Sequence, residues 1–190
     1  MWNAEAETFD EAPYHGLSDE TVRSAWKRLL IEKLPDAPGR IADLGCGTGT
    51  SSVLLADSGY VVDGLDFSPE MVRRAEAKAA GRPHVRFLQG DAHDPPLTPA
   101  SYDVVLCRHV LWAMPEPAVA LSRWTKLLKP QGVLLLVEGR WSNDVGLTAD
   151  QTLALVRATG RSDGLTGMSH PVYWGRRVHD GRYPVVSPAP

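Results

Sequence analysis

Apolar residues follow two rhythms along the chain. Between positions 18 and 34 they recur every three or four residues, at Val22, Ala25, Trp26, Leu29 and Leu30. That is the spacing of an amphipathic helix, with Ser18 able to cap it and Asp19 and Glu20 in its first turn. Pro35, Pro38 and Gly39 stop it. From Ile41 onward, short apolar runs alternate with helical stretches. The pattern predicts strands over 41–44, 61–65, 85–88, 103–107 and 133–138, and helices over 49–58, 69–80, 117–128 and 149–158. Ser68 followed by Pro69 is a strong helix start, a capping hydroxyl before a proline at the first helical position. Val133 to Val137 is apolar at every position, which suits a strand buried on both faces of a parallel sheet. Such alternation predicts a doubly wound α/β sheet with ligands at the carboxyl ends of its strands. Tyr183 to Val186 reads as a last, antiparallel strand, with 161–174 as its partner; Gly164 and Gly167 weaken that pairing.

Composition narrows the class. The chain has 190 residues, 43% apolar and 23% charged, which fits one folded domain and argues against disorder. Twenty Lys and Arg against 23 Asp and Glu leave a net charge of −3, so no basic excess points to nucleic acid. No apolar run approaches the ~20 residues of a membrane span. The acidic stretch from Met1 to Glu7, with no apolar run after it, does not read as a signal peptide. Two cysteines, Cys46 and Cys107, form no disulfide framework and suit the cytoplasm.

The strongest chemical signal runs from Ile41 through DLGCGTG (Asp43 to Gly49), a strand entering a glycine loop and then a helix. Gly45, Gly47 and Gly49 lack the Cβ atoms that would keep a ligand off the backbone. The dinucleotide fingerprint G-x-G-x-x-G sets a pyrophosphate on a helix N-terminus. Here the third glycine comes one residue early, and Asp43 stands two residues ahead of the first. An acid there repels a diphosphate and favours an ammonium or sulfonium, which counts against a nicotinamide dehydrogenase. Asp66 ends the next strand, placed to grip a ribose diol. Asp91, with Ala92, follows the third, where a carboxylate can accept from an exocyclic amine.

These residues resemble the class I S-adenosylmethionine-dependent methyltransferases over 41–138. In that resemblance, Asp43, Gly45, Cys46 and Gly47 face the methionine moiety of S-adenosylmethionine and Asp66 binds its ribose. Phe67 and Met71 flank adenine, and Asp91 and Ala92 read its edge. YDVVLC (Tyr102 to Cys107) matches the fourth strand and LKPQG (Leu128 to Gly132) the turn before the fifth, with Gln131 where the family usually has glycine. The Cys107 carbonyl is placed to accept from the cofactor's ammonium, and Arg108 is counted with the cofactor residues. The resemblance implies a Rossmann-like seven-stranded sheet, mostly parallel, with an antiparallel last strand and an abbreviated C-terminal hairpin. The aromatic N-terminal stretch, Trp2 through Phe9, Tyr14 and His15, resembles a segment that folds over the cofactor as a lid. Packing against the sheet edge is the plainer alternative.

Methyl transfer from a sulfonium needs positioning and desolvation, and no single catalytic side chain. His109, after the fourth strand, is the best base candidate, although a structural role is as good a reading. Trp112 can stack on an acceptor or simply wall the pocket. Arg108 can also pair with an acidic acceptor or with a surface carboxylate. Glu138, ending the fifth strand, can orient His109, hold an acceptor amine, or bind a backbone amide. Phe9, Tyr14, His15 and Trp141 complete the expected acceptor pocket. Cys107 follows Leu106, not the proline that precedes the nucleophile of cytosine C5 methyltransferases. Asp94, Pro95 and Pro96 mimic the motif of nucleic-acid amino-methyltransferases after the wrong strand. No Cys/His spacing or carboxylate cluster suggests a metal.

The expectation is therefore a single domain. Residues 1–40 form a lid and helix, 41–138 the cofactor core, and 139–190 a substrate-side part. The expected reaction is methyl transfer to oxygen or nitrogen of a small molecule, with no nucleic acid or membrane as partner and with monomer and homodimer both open. The alternative is a cofactor-binding protein of the same fold without methylating activity. With only 40 residues before the core and 52 after it, the cap is small and a small acceptor is expected.

Overall fold

The computed structural model describes residues 2–189. Two single turns, α1 (Trp2–Glu5) and α2 (Pro13–Gly16), flank a 3-10 turn at Phe9–Glu11 and precede the long helix α3 (Glu20–Lys33). α3 buries all five residues that its spacing selects. Its cap, however, is Asp19 and not Ser18: one carboxylate oxygen accepts from the Thr21 and Val22 amides, each at 2.9 Å. The carboxylate sits immediately before the first helical residue and is the stronger acceptor.

The alternating unit follows as β1 (Arg40–Leu44), α4 (Thr50–Ala56), β2 (Val61–Asp66), α5 (Pro69–Lys78), β3 (Val85–Gln89), β4 (Tyr102–Arg108), α6 (Pro117–Leu127) and β5 (Leu128–Arg140). Then come α7 (Ala149–Ala158), β6 (Gly164–Leu165) and β7 (Gly181–Ser187). Ser68 caps α5 from the Met71 amide with Pro69 at the first helical position, as the dipeptide predicts. The seven strands lie in the order β3-β2-β1-β4-β5-β7-β6. β7 runs antiparallel to β5, pairing Leu135 with Val186, and the remaining pairs among β1 to β5 are parallel. The expected mixed, mostly parallel sheet is what forms. Of the 161–174 segment only Gly164 and Leu165 join it. Glycine gives a strand no side chain to pack, so the edge stays short.

Each central strand feeds two cores. Ala42, Leu44, Val105, Cys107, Leu134 and Leu136 pack under α6 and α7 with Trp124 and Val156. Ile41, Val104, Leu106, Leu135 and Val137 pack under α3 and α4 with Trp26, Leu30 and Leu54. Successive side chains point to opposite faces, which is why Val133–Val137 shows no polar alternation. Among the described residues, no helix is long and apolar enough to cross a membrane.

Candidate functional site

The parallel strands deliver their carboxyl ends to one place. Asp43 is the penultimate residue of β1, Asp66 the last of β2, and Asp91 lies two residues beyond β3. All three line a cleft of about 690 Å³, together with Gly45, Cys46, Gly47, Phe67, Met71, Ala92 and Arg108. The loop between β1 and α4 turns through left-handed backbone at Gly45, Gly47 and Gly49, with φ of 71°, 55° and 74°. The amides of Gly45 and Cys46 donate to Leu65 O across the sheet at 2.8 and 2.9 Å. A Cβ on Gly45 would run into Val110, and one on Gly47 would press the Phe9 ring at 3.2 Å.

The carboxylates differ in environment. Asp43 is buried and accepts from the Ser52 hydroxyl; burial pushes it up to about 6 despite that bond. Asp66 accepts from the Gly47 amide (2.8 Å) on one oxygen and from the Ser68 amide (2.9 Å) on the other. Burial raises it, and those two amides oppose the rise. Each oxygen keeps a second lone pair for a ligand. Asp91 is exposed and accepts from the His93 amide. Phe67 is 69% exposed, a ring face left open on the cleft wall.

The N-terminal stretch closes one side. Trp2, Phe9, Tyr14 and His15 all line the cleft, and Phe9 stacks on His15 with centroids 4.1 Å apart. Two polar clasps hold this cap down. Asp10 accepts from the Thr48 hydroxyl and, at 2.8 Å, from Lys78 Nζ; Ser68 Oγ meets Asn3 Oδ1. Arg108 reaches up from β4 to donate to Tyr14 O at 3.1 Å, its guanidinium 4.9 Å from the Trp26 ring centre.

The far wall is aromatic. His109, Val110, Trp112, Met114 and Trp141 line it. His109 adopts φ of 62°, its ring stacked on Trp174 (5.9 Å) and edge-on to Trp141 (5.5 Å). Burial, with Arg108 second, pushes its imidazole well below the ordinary histidine range. His15 is likewise pushed down to about 3 by burial, with Arg108 second. Both rings are neutral at physiological pH.

Set against these strand ends, the family model described as "Methyltransferase domain" matches residues 42–136, half of the chain. The chain belongs to this family, the class I S-adenosylmethionine-dependent methyltransferases. A demethylmenaquinone methyltransferase of Renibacterium salmoninarum is 34% identical over 134 residues, 68% of this chain and 55% of that protein. The chain spans about half the length of the curated relatives it matches. A SAM-dependent methyltransferase from Aquifex aeolicus superposes with a TM-score of 0.74 at 16% identity, over 99% of this chain and 98% of the other. The [4+2]-cyclase SpnF does so with 0.75 at 24%, over 87% and 80%. At such identities the structures speak for the fold alone.

The family's cofactor is S-adenosylmethionine, and the cleft suits its chemistry: three carboxylates for a cationic, hydroxylated ligand, and apolar Phe67 and Met71 for a base. Two residues read from the sequence as part of the site are not on the cleft lining. Cys107 has the parity of Val105, so its side chain lies in the α6/α7 core, where burial raises its thiol; the cofactor role read for it rests on its backbone carbonyl, which that parity leaves unaffected. Glu138 is fully buried, and its Oε1 accepts from the Val110 and Leu111 amides at 3.1 and 2.8 Å. Burial pushes it up to about 8, so it props the 109–111 turn as a neutral acid and holds no acceptor amine. Sequence reasoning also missed Trp174 and Arg182. Trp174 backs the acceptor wall from a stretch outside any strand, where the neighbouring aromatics 173–174 were the only available signal; Arg182 does so from the start of β7, one residue ahead of the predicted last strand.

Proposed function

We propose that the chain transfers a methyl group from S-adenosylmethionine to a small molecule. The observation that carries this is the convergence of Asp43, Asp66 and Asp91 on a capped cleft whose opposite wall is aromatic. Bound there, S-adenosylmethionine supplies a methyl group activated as a sulfonium, given up to a nucleophile by in-line displacement. The rest falls to the chain's own residues. Asp66 accepts from the ribose hydroxyls with its free lone pairs, and Asp91 and the Ala92 amide meet the base edge, between Phe67 and Met71. Asp43 and Arg108, carrying opposite charges, suit the ammonium and carboxylate of an amino-acid end. The cap of residues 2–16 excludes water, which strengthens those charge contacts. His109 faces the acceptor as a neutral imidazole. Its depressed basicity fits holding an acceptor hydrogen in place better than storing a proton.

In this reading residues 1–40 cap the site, 41–138 hold the cofactor and 139–190 finish the acceptor side. So covered a cleft favours a small acceptor over a nucleic acid. Titration calorimetry should show one S-adenosylmethionine bound per chain, and incubation with a metabolite extract should release S-adenosylhomocysteine. Binding without any S-adenosylhomocysteine would instead assign the chain a non-methylating reaction, and preferential binding of a nicotinamide dinucleotide would overturn the reading.

Asp43 gives that affinity a pH signature. Below its value of about 6 the free protein holds the carboxyl neutral, while the cofactor's ammonium favours the carboxylate. Affinity should therefore climb as pH rises from about 5 and level off above about 7, with a limiting slope of roughly tenfold per unit. Asp43→Asn should flatten the profile. A wild-type slope in that variant would assign the titration to another group.

A further inference from the structure

The cleft is divided by charge. Its carboxylates Asp43, Asp66 and Asp91 stand at the ends of β1 to β3, whereas the wall formed by His109, Trp112, Met114 and Trp141 carries none. Trp112 and Trp141 meet at 64° with centroids 5.5 Å apart, an open corner of two indoles. Trp112 has already given its N–H to His109 O at 2.8 Å, so its remaining surface is apolar. Trp141 in turn stands edge-on to His109 at 87°. Behind the corner, the Arg182 guanidinium lies 4.1 Å over Trp174, which also stacks on His109. Arg108 lines the cleft on the cap side.

The His109 ring lines the cleft and makes no hydrogen bond among the described residues. Its Nε2 is sealed from solvent, as are the unpartnered Glu138 Oε2 and Arg182 Nη1 behind the wall, which leaves Nδ1 as the nitrogen a ligand can meet. A ligand hydroxyl that pairs with it gains a hydrogen bond away from bulk water. An aromatic corner alone would also suit a cation. The Arg182 guanidinium behind the wall opposes one, and the only carboxyl beneath it among the described residues, Glu138, is held toward its neutral form by burial. A carboxylate would have to shed its water among indoles, and Arg108, on the cap side, is the residue proposed for the cofactor's own carboxylate. A flat, uncharged molecule satisfies both the rings and the nitrogen. We propose that the acceptor is an uncharged, ring-shaped hydroxyl compound of the phenol class, its ring in the Trp112–Trp141 corner and its hydroxyl donating to His109. The neutral state of the His109 ring, set by burial, leaves it able to accept.

This inference rests on the methyltransferase reading, and the experiment separates the two. S-adenosylhomocysteine binding is measured first, by calorimetry; its absence would take down the underlying reading and this one with it. The loaded protein is then titrated with four probes that share one ring: 2-naphthol, 2-methoxynaphthalene, 2-naphthoate and 2-naphthylmethylammonium. The expectation is that 2-naphthol binds at least about tenfold more tightly than either charged probe and several-fold more tightly than the methoxy compound, which cannot donate. Trp141→Ala and Trp112→Ala should each cost 2-naphthol about tenfold and leave S-adenosylhomocysteine affinity within about twofold. Equal or tighter binding of a charged probe would overturn the proposal. So would parity between 2-naphthol and its methyl ether, or failure of every probe on loaded protein.

Discussion

Asp66→Ala should weaken S-adenosylmethionine binding by about 3 kcal/mol, roughly 100-fold, more than any other single change on the cofactor side. Two losses combine. The ribose loses a charged acceptor, worth about 1.5–3 kcal/mol. The Gly47 and Ser68 amides, now held at 2.8 and 2.9 Å, lose theirs, and the glycine loop is freed from the start of α5. Asp66→Asn separates the terms, because one amide oxygen remains to accept. It should restore part of the loop's order while leaving the ribose contact weak. Calorimetric titration reads both variants; a dissociation constant within about threefold of wild type for Asp66→Ala would remove Asp66 from the site.

The second large effect is on stability and reaches the acceptor wall. Trp174 is fully buried, donates its N–H to Met168 O, and touches Trp26, Tyr14, His109 and Arg182. Trp174→Ala should cost about 3–5 kcal/mol of unfolding free energy, the range for emptying a large aromatic site. Trp174→Phe keeps a ring against His109 but orphans the Met168 carbonyl, so the loss should fall to about 1–3 kcal/mol. Urea denaturation monitored by far-ultraviolet circular dichroism measures both, provided the slope with denaturant stays constant. A loss under about 1 kcal/mol for the alanine variant would mean that the cluster rearranges at little cost. Both residues that Trp174 joins to the wall, His109 and Tyr14, lie on the cleft, so 2-naphthol affinity should drop with it.

How much of this was legible beforehand depends on how local each signal is. The strands of the sheet and the glycine loop could be read because each depends on neighbours a few positions apart. Ser68-Pro69, the run Val133–Val137 and the DLGCGTG loop carry their geometry in themselves. The acids Asp43, Asp66 and Asp91 could be placed at strand ends for the same reason. The faces taken by the Glu138 and Cys107 side chains could not be read, because strand parity decides them. Parity sends both to the α6/α7 side, as it does Leu136 and Val105. The contribution of 168–182 was invisible for a different reason. Its contacts join residues far apart in the chain, such as the Trp26 N–H on Tyr173 O at 2.7 Å and the Tyr14 ring against Trp174, and no window along the chain contains both partners. Asp10 likewise reads as one more surface acid until Thr48 and Lys78 are seen to meet it.

The two-faced sheet has one more effect. Neighbouring strands can only be offset in whole residues, and one residue is a step of ~3.3 Å. The Gly47–Asp66 bond spans 2.8 Å, so a single slip of β2 against β1 would break it outright and would also swap the residues facing each core. The three acids thus share an alignment that is either right or absent. Mutations deep in Ile41–Leu44 or Val62–Leu65 should change the fraction of molecules that carry a working cleft, not the quality of the cleft in those that do.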